Sequence, residues 1–118
     1  MIQHQQWYGI DRLLVVDEIN HASVQLNIFK KGRLKESYKA DCLLWALWVD
    51  EASRKQGVAK RLIKAMEKYA VLYHCKSIAL EYDRRDTPEW VLHWYERLGY
   101  EEKAFGNHSS LLVKQLMK

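Results

Sequence analysis

Apolar residues in the first part of the chain fall in short runs that suit strands. Leu13, Leu14, Val15 and Val16 form one run inside Arg12–Asp17. Ala22–Lys30 alternates, with Val24, Leu26 and Ile28 on one face and Gln25, Asn27 and Phe29 on the other. Lys30, Lys31, Gly32 and Arg33 read as a basic turn. Cys42–Val49 is apolar on both faces, the pattern of a central strand covered on both sides, and strict alternation sets Trp45 and Trp48 on opposite faces. The period then changes. Ala59, Leu62, Ile63, Met66, Ala70 and Tyr73 follow helical spacing, with Lys60, Arg61, Lys64 and Lys68 between them. Ser77–Tyr82 is a further apolar strand. Asp86, Thr87, Pro88 and Glu89 form a helix-start signal in which Asp86 or Thr87 caps, and Gly99 stops that helix after Leu98. Tyr100–Phe105 and Ser110–Leu116 close the chain as two strands around a Gly106-Asn107 turn. The order is strands, then helix, strand, helix, strand, strand. It predicts an α/β (α+β) layer with helices packed on a sheet.

The length of 118 residues suits one domain, residues 1–118, with no Pro/Gly/Ser-rich linker and no repeat. With 48% hydrophobic and 29% charged residues, disorder is excluded as the default. The net charge of +4 suits an anionic ligand but is too mild for the basic stripe of a nucleic-acid binder, so no nucleic acid is expected. Met1 to Ile10 is polar and lacks the apolar stretch of a signal peptide, and Leu43–Val49 is too short to span a bilayer. Cys42 and Cys75 form no CxxC pair and read as reduced thiols, which places the protein in the cytoplasm. His4, His21, His74, His93 and His108 fit no zinc spacing, so no metal is expected. Core packing is the default reading for Trp7, Trp45, Trp48, Trp90 and Trp94, although Trp90 or Trp94 would also suit a pocket wall.

The chemistry is concentrated where the apolar strand meets the basic helix. After Leu47, Trp48 and Val49 come a polar loop with Arg54, Lys55 and Gln56, then Gly57, Val58, Ala59 and Lys60. Small residues at a helix start let a ligand approach the backbone. The unsatisfied N–H groups of the first turn attract an anion, and each charge-assisted hydrogen bond is worth about 1.5–3 kcal/mol. The segment reads as a phosphate cradle; the alternative is a strand–turn–helix whose glycine serves the turn alone. It is neither a P-loop nor a dinucleotide fingerprint.

Two motifs in this region carry a resemblance. Arg54-x-x-Gly57-x-Ala59 resembles the R/Q-x-x-G-x-G/A signature of the GCN5-related N-acetyltransferases, the GNAT family. Downstream, Trp94-Tyr95-Glu96-Arg97-Leu98-Gly99-Tyr100 resembles the end of that family's last helix, and Ser77–Tyr82 lies where the family has its fifth strand. The resemblance covers residues 42–105. It implies a mixed, mostly antiparallel sheet with helices on both faces, splayed between its fourth and fifth strands, with acetyl-CoA in the splay. It further implies pantetheine along Leu47, Trp48 and Val49, and pyrophosphate on Arg54, Lys55, Gln56, Gly57, Val58, Ala59 and Lys60. Tyr95 becomes the general acid that protonates the departing CoA thiolate; the bland reading is a core tyrosine.

The implied reaction is direct acetyl transfer to a primary amine on a small molecule or a protein. Glu81 is the base candidate, with Asp83, Asp41 and His93 as others. The segment before Cys42 is shorter than is usual in the family and read mainly as strand, which opens the acceptor site or leaves it to a second subunit. The expected state is a monomer or homodimer. The rival reading is a GNAT-like module that binds acyl-CoA or a protein partner without turnover.

Overall fold

The computed structural model describes residues 2–50 and 57–116. Strands β1 (Ile2–Trp7), β2 (Ile10–Asp17) and β3 (Ala22–Phe29) precede a short helix α1 (Gly32–Tyr38) and strand β4 (Cys42–Val49). Helix α2 (Val58–Leu72), strand β5 (Ser77–Asp83), helix α3 (Glu89–Arg97) and strands β6 (Glu101–Phe105) and β7 (Ser109–Gln115) complete the chain. They form one sheet of order β1-β2-β3-β4-β5-β7-β6.

Every pairing is antiparallel except β4 with β5, which the α2 crossover makes parallel. That parallel ladder is short. It joins Cys42 to Ile78 and Leu43 to Ala79 and ends there. The sheet therefore consists of two wings, β1 to β4 and β5-β7-β6, joined at one seam and splayed beyond it.

A bulge in β4 shapes the splayed part. Between Gln25 and Ser23, β3 advances by two residues, while its partner β4 advances by three, from Trp45 to Trp48. The extra residue falls at Ala46, whose φ of 53° lies in the left-handed region, at a cost of about 1–3 kcal/mol for a non-glycine residue. Ser23 and Gln25 share a face, so Trp45 and Trp48 do as well. This corrects the expectation of opposite faces, which assumed unbroken alternation. Leu47 and Val49 are turned inward by the same step and join the core.

The larger core lies on the α2 face. Leu13, Val24, Leu26 and Leu44 from one wing meet Ile78, Leu80, Tyr82 and Leu112 from the other, under Val58, Leu62, Ile63, Met66 and Ala70 of α2. Helix α3 adds Val91, Leu92, Trp94, Tyr95 and Leu98 to the same core. On the opposite face a smaller cluster of Phe29, Ala40, Leu43, Ala79 and Val113 is covered by Leu34 and Tyr38 of α1, which lie one helical turn apart. Helices thus cover both faces, as the resemblance implies.

The structure departs from the sequence reading at five further points. β1 is a strand although its residues are exposed throughout, and α1 is a helix where a turn was expected. β4 is buried at Cys42, Leu43, Leu44 and Val49 but open between them, because its second half borders the splay rather than a neighbouring strand. Four of the five tryptophans are not core residues: Trp7, Trp45, Trp48 and Trp90 are 54%, 44%, 52% and 65% exposed, while Trp94 packs against the α2-side core. Finally, Pro88 occupies the N-cap of α3 with no side-chain cap, and the Thr87 carbonyl instead accepts a hydrogen bond from the Tyr82 hydroxyl at 3.0 Å.

A buried polar group ties α2 to the second wing. The Glu67 carboxylate accepts a hydrogen bond from the Tyr100 hydroxyl at 2.9 Å and is bridged by Lys114 Nζ, 3.1 Å from each oxygen. Gly99, with φ of 104°, lets the chain turn there; a Cβ would lie 3.1 Å from Cε of Lys114. Tyr100→Phe removes one donor from a buried carboxylate and is expected to destabilise the fold by about 1–3 kcal/mol. The midpoint of urea unfolding, at unchanged slope, measures this.

Candidate functional site

The splay holds a cavity of about 690 Å³. Its walls are the end of β4 (Leu47, Trp48, Val49), the start of α2 (Gly57, Val58, Ala59, Lys60), and Thr87, Trp90, Val91 and Trp94 at the α3 side. The end of β4 and the start of α2 are neighbours along the chain, and the parting of β4 from β5 leaves room for the distant α3 to form the third wall.

The start of α2 suits an anion. Gly57 is its N-cap, with φ of 76°, and no side chain caps the helix. The first helical hydrogen bond runs from the Arg61 N–H to the Gly57 carbonyl, so the amides of Val58, Ala59 and Lys60 have no acceptor within the helix. There is no acidic residue in the first turn to neutralise them, and Lys60 and Arg61 add positive charge. A Cβ on Gly57 would meet only the tip of the Arg61 side chain, at 3.4 Å, so the backbone is open to close approach. The remaining lining is aliphatic and aromatic, which suits the uncharged part of a long ligand.

Seven of the expected cofactor residues thus come together: Leu47, Trp48, Val49, Gly57, Val58, Ala59 and Lys60. Arg54, Lys55 and Gln56 lie outside the described residues. Thr87 and Val91 are walls that the sequence did not assign, and Trp90 and Trp94, whose default reading is core packing, take the pocket-wall place that is their alternative. The available signal was Trp90 and Trp94 at i and i+4, one stripe of α3 distinct from the stripe of Leu92, Tyr95 and Leu98.

Tyr95 sits just behind this wall. It is half-buried, its ring centroid 5.3 Å from that of Trp94 and 6.4 Å from that of Tyr100. Its hydroxyl makes no hydrogen bond to another described residue, and burial raises its pKa above the ordinary tyrosine value. Glu81 lies on the other face of the sheet: Leu80 and Tyr82 belong to the α2-side core and Ala79 to the α1-side cluster. The two catalytic candidates therefore approach the seam between the wings from opposite sides.

The other base candidates are engaged locally. Asp41 accepts the Lys76 N–H at 2.7 Å. Asp83 accepts the Arg85 N–H at 2.9 Å, which holds its carboxyl below the usual range. His93 lies 3.0 Å from Glu96 and 3.7 Å from Glu89 on the outside of α3. Cys42 and Cys75 are both buried; the neighbouring Cys75 thiol and burial push the Cys42 thiol up, away from the thiolate form a nucleophile needs, while the Cys42 thiol draws that of Cys75 down. Among the described residues no cluster of three or more His, Cys, Asp or Glu is placed to hold a metal ion, and no helix is long and apolar enough to cross a membrane.

These features place an apolar cleft with an anion-receptive helix start at the splay of a mixed sheet. Residues 10–102 match the family model of the acetyltransferase (GNAT) domain, and the chain belongs to that family. Solved structures share the fold at low sequence identity. A putative acyl-CoA N-acyltransferase from Klebsiella pneumoniae is 18% identical at a TM-score of 0.66, over 93% of this chain and 74% of that one. A PaiA N-acetyltransferase from Thermoplasma acidophilum, solved in complex with coenzyme A, is 15% identical at a TM-score of 0.68, over 91% of this chain and 61% of that one. An acetyltransferase from Bacillus cereus is 21% identical at a TM-score of 0.61, over 97% and 74%. No curated protein matches the chain.

Proposed function

We propose that residues 1–118 act as one N-acetyltransferase domain that moves the acetyl group of acetyl-CoA directly to a primary amine. The observation that carries this reading is the uncapped, acid-free start of α2 opening into an otherwise apolar cavity beside the end of β4. The pyrophosphate of the cosubstrate binds the amides of Val58, Ala59 and Lys60, with Gly57 giving access and Arg54, Lys55 and Gln56 completing the loop. The pantetheine runs along Leu47, Trp48 and Val49. The amine attacks the thioester carbonyl near the seam where β4 and β5 part. Glu81 takes the proton of the incoming amine, and the neutral Tyr95 hydroxyl gives one to the CoA thiolate as the carbon–sulfur bond breaks. The reduced thiols Cys42 and Cys75 support a cytoplasmic setting.

A second reading, a module that binds acyl-CoA without turnover, is favoured by one feature: α1 is the single described helix on the acceptor side and has only seven residues. Turnover on an amine panel separates the two readings.

The direct test is calorimetric titration with acetyl-CoA and with dephospho-CoA. Micromolar binding of acetyl-CoA, about −8 kcal/mol, is expected. Weaker binding of dephospho-CoA would add that basic side chains reach the 3′-phosphate. Absence of binding by the folded protein would overturn the reading.

A further inference from the structure

Among the described residues the sheet ends in β1 on one side and β6 on the other, and the two edges are built differently. β6 reads Glu101-Glu102-Lys103-Ala104-Phe105, and its register against β7 slips between Glu102 and Ala104, so Lys103 is an extra, bulged residue. Charges and bulges are the devices that keep a sheet edge from pairing with another chain. β1 reads Ile2-Gln3-His4-Gln5-Gln6-Trp7, with no lysine, arginine, acid or proline. Its register against β2 runs unbroken from Ile2 opposite Val15 to Trp7 opposite Ile10. One edge is guarded and the other is not.

The hairpin fixes which backbone groups the open edge presents. The two-residue turn Tyr8-Gly9 makes Trp7 and Ile10 the closing pair, which exchange both backbone bonds. Alternation then turns Gln5 and Gln3 toward β2 and points the N–H and C=O of Ile2, His4 and Gln6 away from the sheet. The charges of β2 opposite this strand are drawn elsewhere. Asp11 pairs with Lys30 at 2.8 Å, and Arg12 donates from Nε to Asn27 and lies 3.7 Å over the Trp7 ring. The side chains of Ile2, His4 and Gln6 lie on the α2 face, since Leu13 and Val15, opposite His4 and Ile2, belong to the α2-side packing. On that face the Tyr73 ring centroid is 6.5 Å from that of His4, and Ile2 and Tyr73 are 46% and 44% exposed.

We propose that β1 is a homotypic interface, at which two copies of this chain pair β1 with β1 antiparallel and join their sheets into one. The partner is a second copy because the edge is complementary to itself. A twofold axis at His4 uses all three outward residues: Ile2 exchanges backbone bonds with Gln6 of the partner subunit, and His4 with His4 of the partner subunit. Gln3 then faces Gln5 of the partner subunit, an amide pair of the kind that ladders in stacked sheets. No charged side chain on β1 opposes the approach. The bulge and charges of β6 deny that edge the same match. On the α2 face the axis passes beside the Tyr73 ring of each copy, and these rings with Ile2 give the joint an apolar strip. The joint lies at the far end of α2 from Gly57, roughly 22 Å away at about 1.5 Å per residue, so it leaves the helix start open to a ligand.

The test is sedimentation equilibrium from ~1 to ~500 μM protein, a span suited to a small interface. The weight-average mass should rise with concentration from 14.1 kDa toward twice that value and go no further. His4→Lys sets like charges directly opposite at an exposed position and should raise the dimer dissociation constant at least ~10-fold, whereas the neutral His4→Gln should hold it within ~3-fold. Two cysteine variants check the register. Opposed residues on the axis have Cα atoms ~5.5 Å apart, within disulfide reach, so His4→Cys should cross-link to dimer in a glutathione redox buffer. Gln5→Cys, two positions out of register with its own copy and so ~7–8 Å from it, should not. The native Cys42 and Cys75 are buried and stay out of the exchange. Far-UV circular dichroism is the control for folding. A monomer at every concentration would overturn the proposal and leave the edge to an extended segment of another protein. Growth beyond dimer would overturn it in favour of open-ended pairing. Undiminished dimerisation of His4→Lys, or equal cross-linking of the two cysteine variants, would put the interface elsewhere.

Discussion

Gly57→Glu is expected to raise the dissociation constant for CoA at least 100-fold, about 2.8 kcal/mol at 1.4 kcal/mol per tenfold. Two physical changes act together. A carboxylate enters the space where the diphosphate would meet the amides of Val58, Ala59 and Lys60, and it satisfies those amides itself. It also cancels the positive field that the acid-free first turn now presents. The fold should survive. An L-residue at a φ of 76° costs roughly 1–2 kcal/mol, and an acidic residue at a helix start returns about 0.3–1 kcal/mol. Gly57→Ala separates strain from charge. Its Cβ meets nothing closer than the flexible end of Arg61, so it should lower stability by the same roughly 1–2 kcal/mol and leave most CoA affinity in place. Calorimetry on both variants, with thermal unfolding as the control for folding, measures this. Wild-type affinity in Gly57→Glu would place the diphosphate elsewhere.

The elements around this site were the legible part of the sequence, because they bury one face. Leu62, Ile63, Met66 and Ala70 recur at helical spacing on α2, and β5 is a plain apolar run. The cradle was legible for a related reason: glycine and alanine at a helix start after an apolar strand are a local signal, needing no tertiary information. Other features depend on contacts that periodicity does not encode. β1 forms by pairing its backbone with β2 while its side chains stay exposed, so it shows no hydrophobic pattern. α1 is held by little more than Leu34 and Tyr38. The bulge at Ala46 hides inside an unbroken apolar run, since Trp45-Ala46-Leu47-Trp48 reads the same with or without an extra residue. Tryptophan burial was misjudged because the parting of β4 and β5 removes a neighbour from half of a strand that looks central. Trp45, Ala46 and Trp48 thus gather at the seam, where the fold departs from regular packing, while β1 and Trp7 lie at the outer edge of the sheet.

Tyr95→Phe tests the chemical step. It removes one hydroxyl and keeps the ring contacts with Trp94 and Tyr100, so stability and CoA affinity should change little. Turnover should fall about 100-fold, the lower end of what a positioned general acid contributes. The pH dependence adds an independent readout. Burial raises the pKa of Tyr95, so it remains a neutral donor beyond the ordinary phenol value near ~10. The alkaline limb of kcat that belongs to Tyr95 should thus lie above pH ~10 and vanish in the phenylalanine variant. The sign for stability follows from the same shift. Below pH ~10 both folded and unfolded chains hold the proton and nothing is lost; above it the unfolded tyrosine ionises while the buried one does not, and stability falls as pH rises. Tyr100, raised by burial and by the Glu67 charge beside it, acts in the same direction. Single-turnover rates and thermal midpoints from pH 8 to 11 should show the Tyr95→Phe variant losing the kinetic limb and part of the alkaline destabilisation. Persistence of full turnover in that variant would leave Tyr95 as a packing residue and assign the thiolate's proton to solvent.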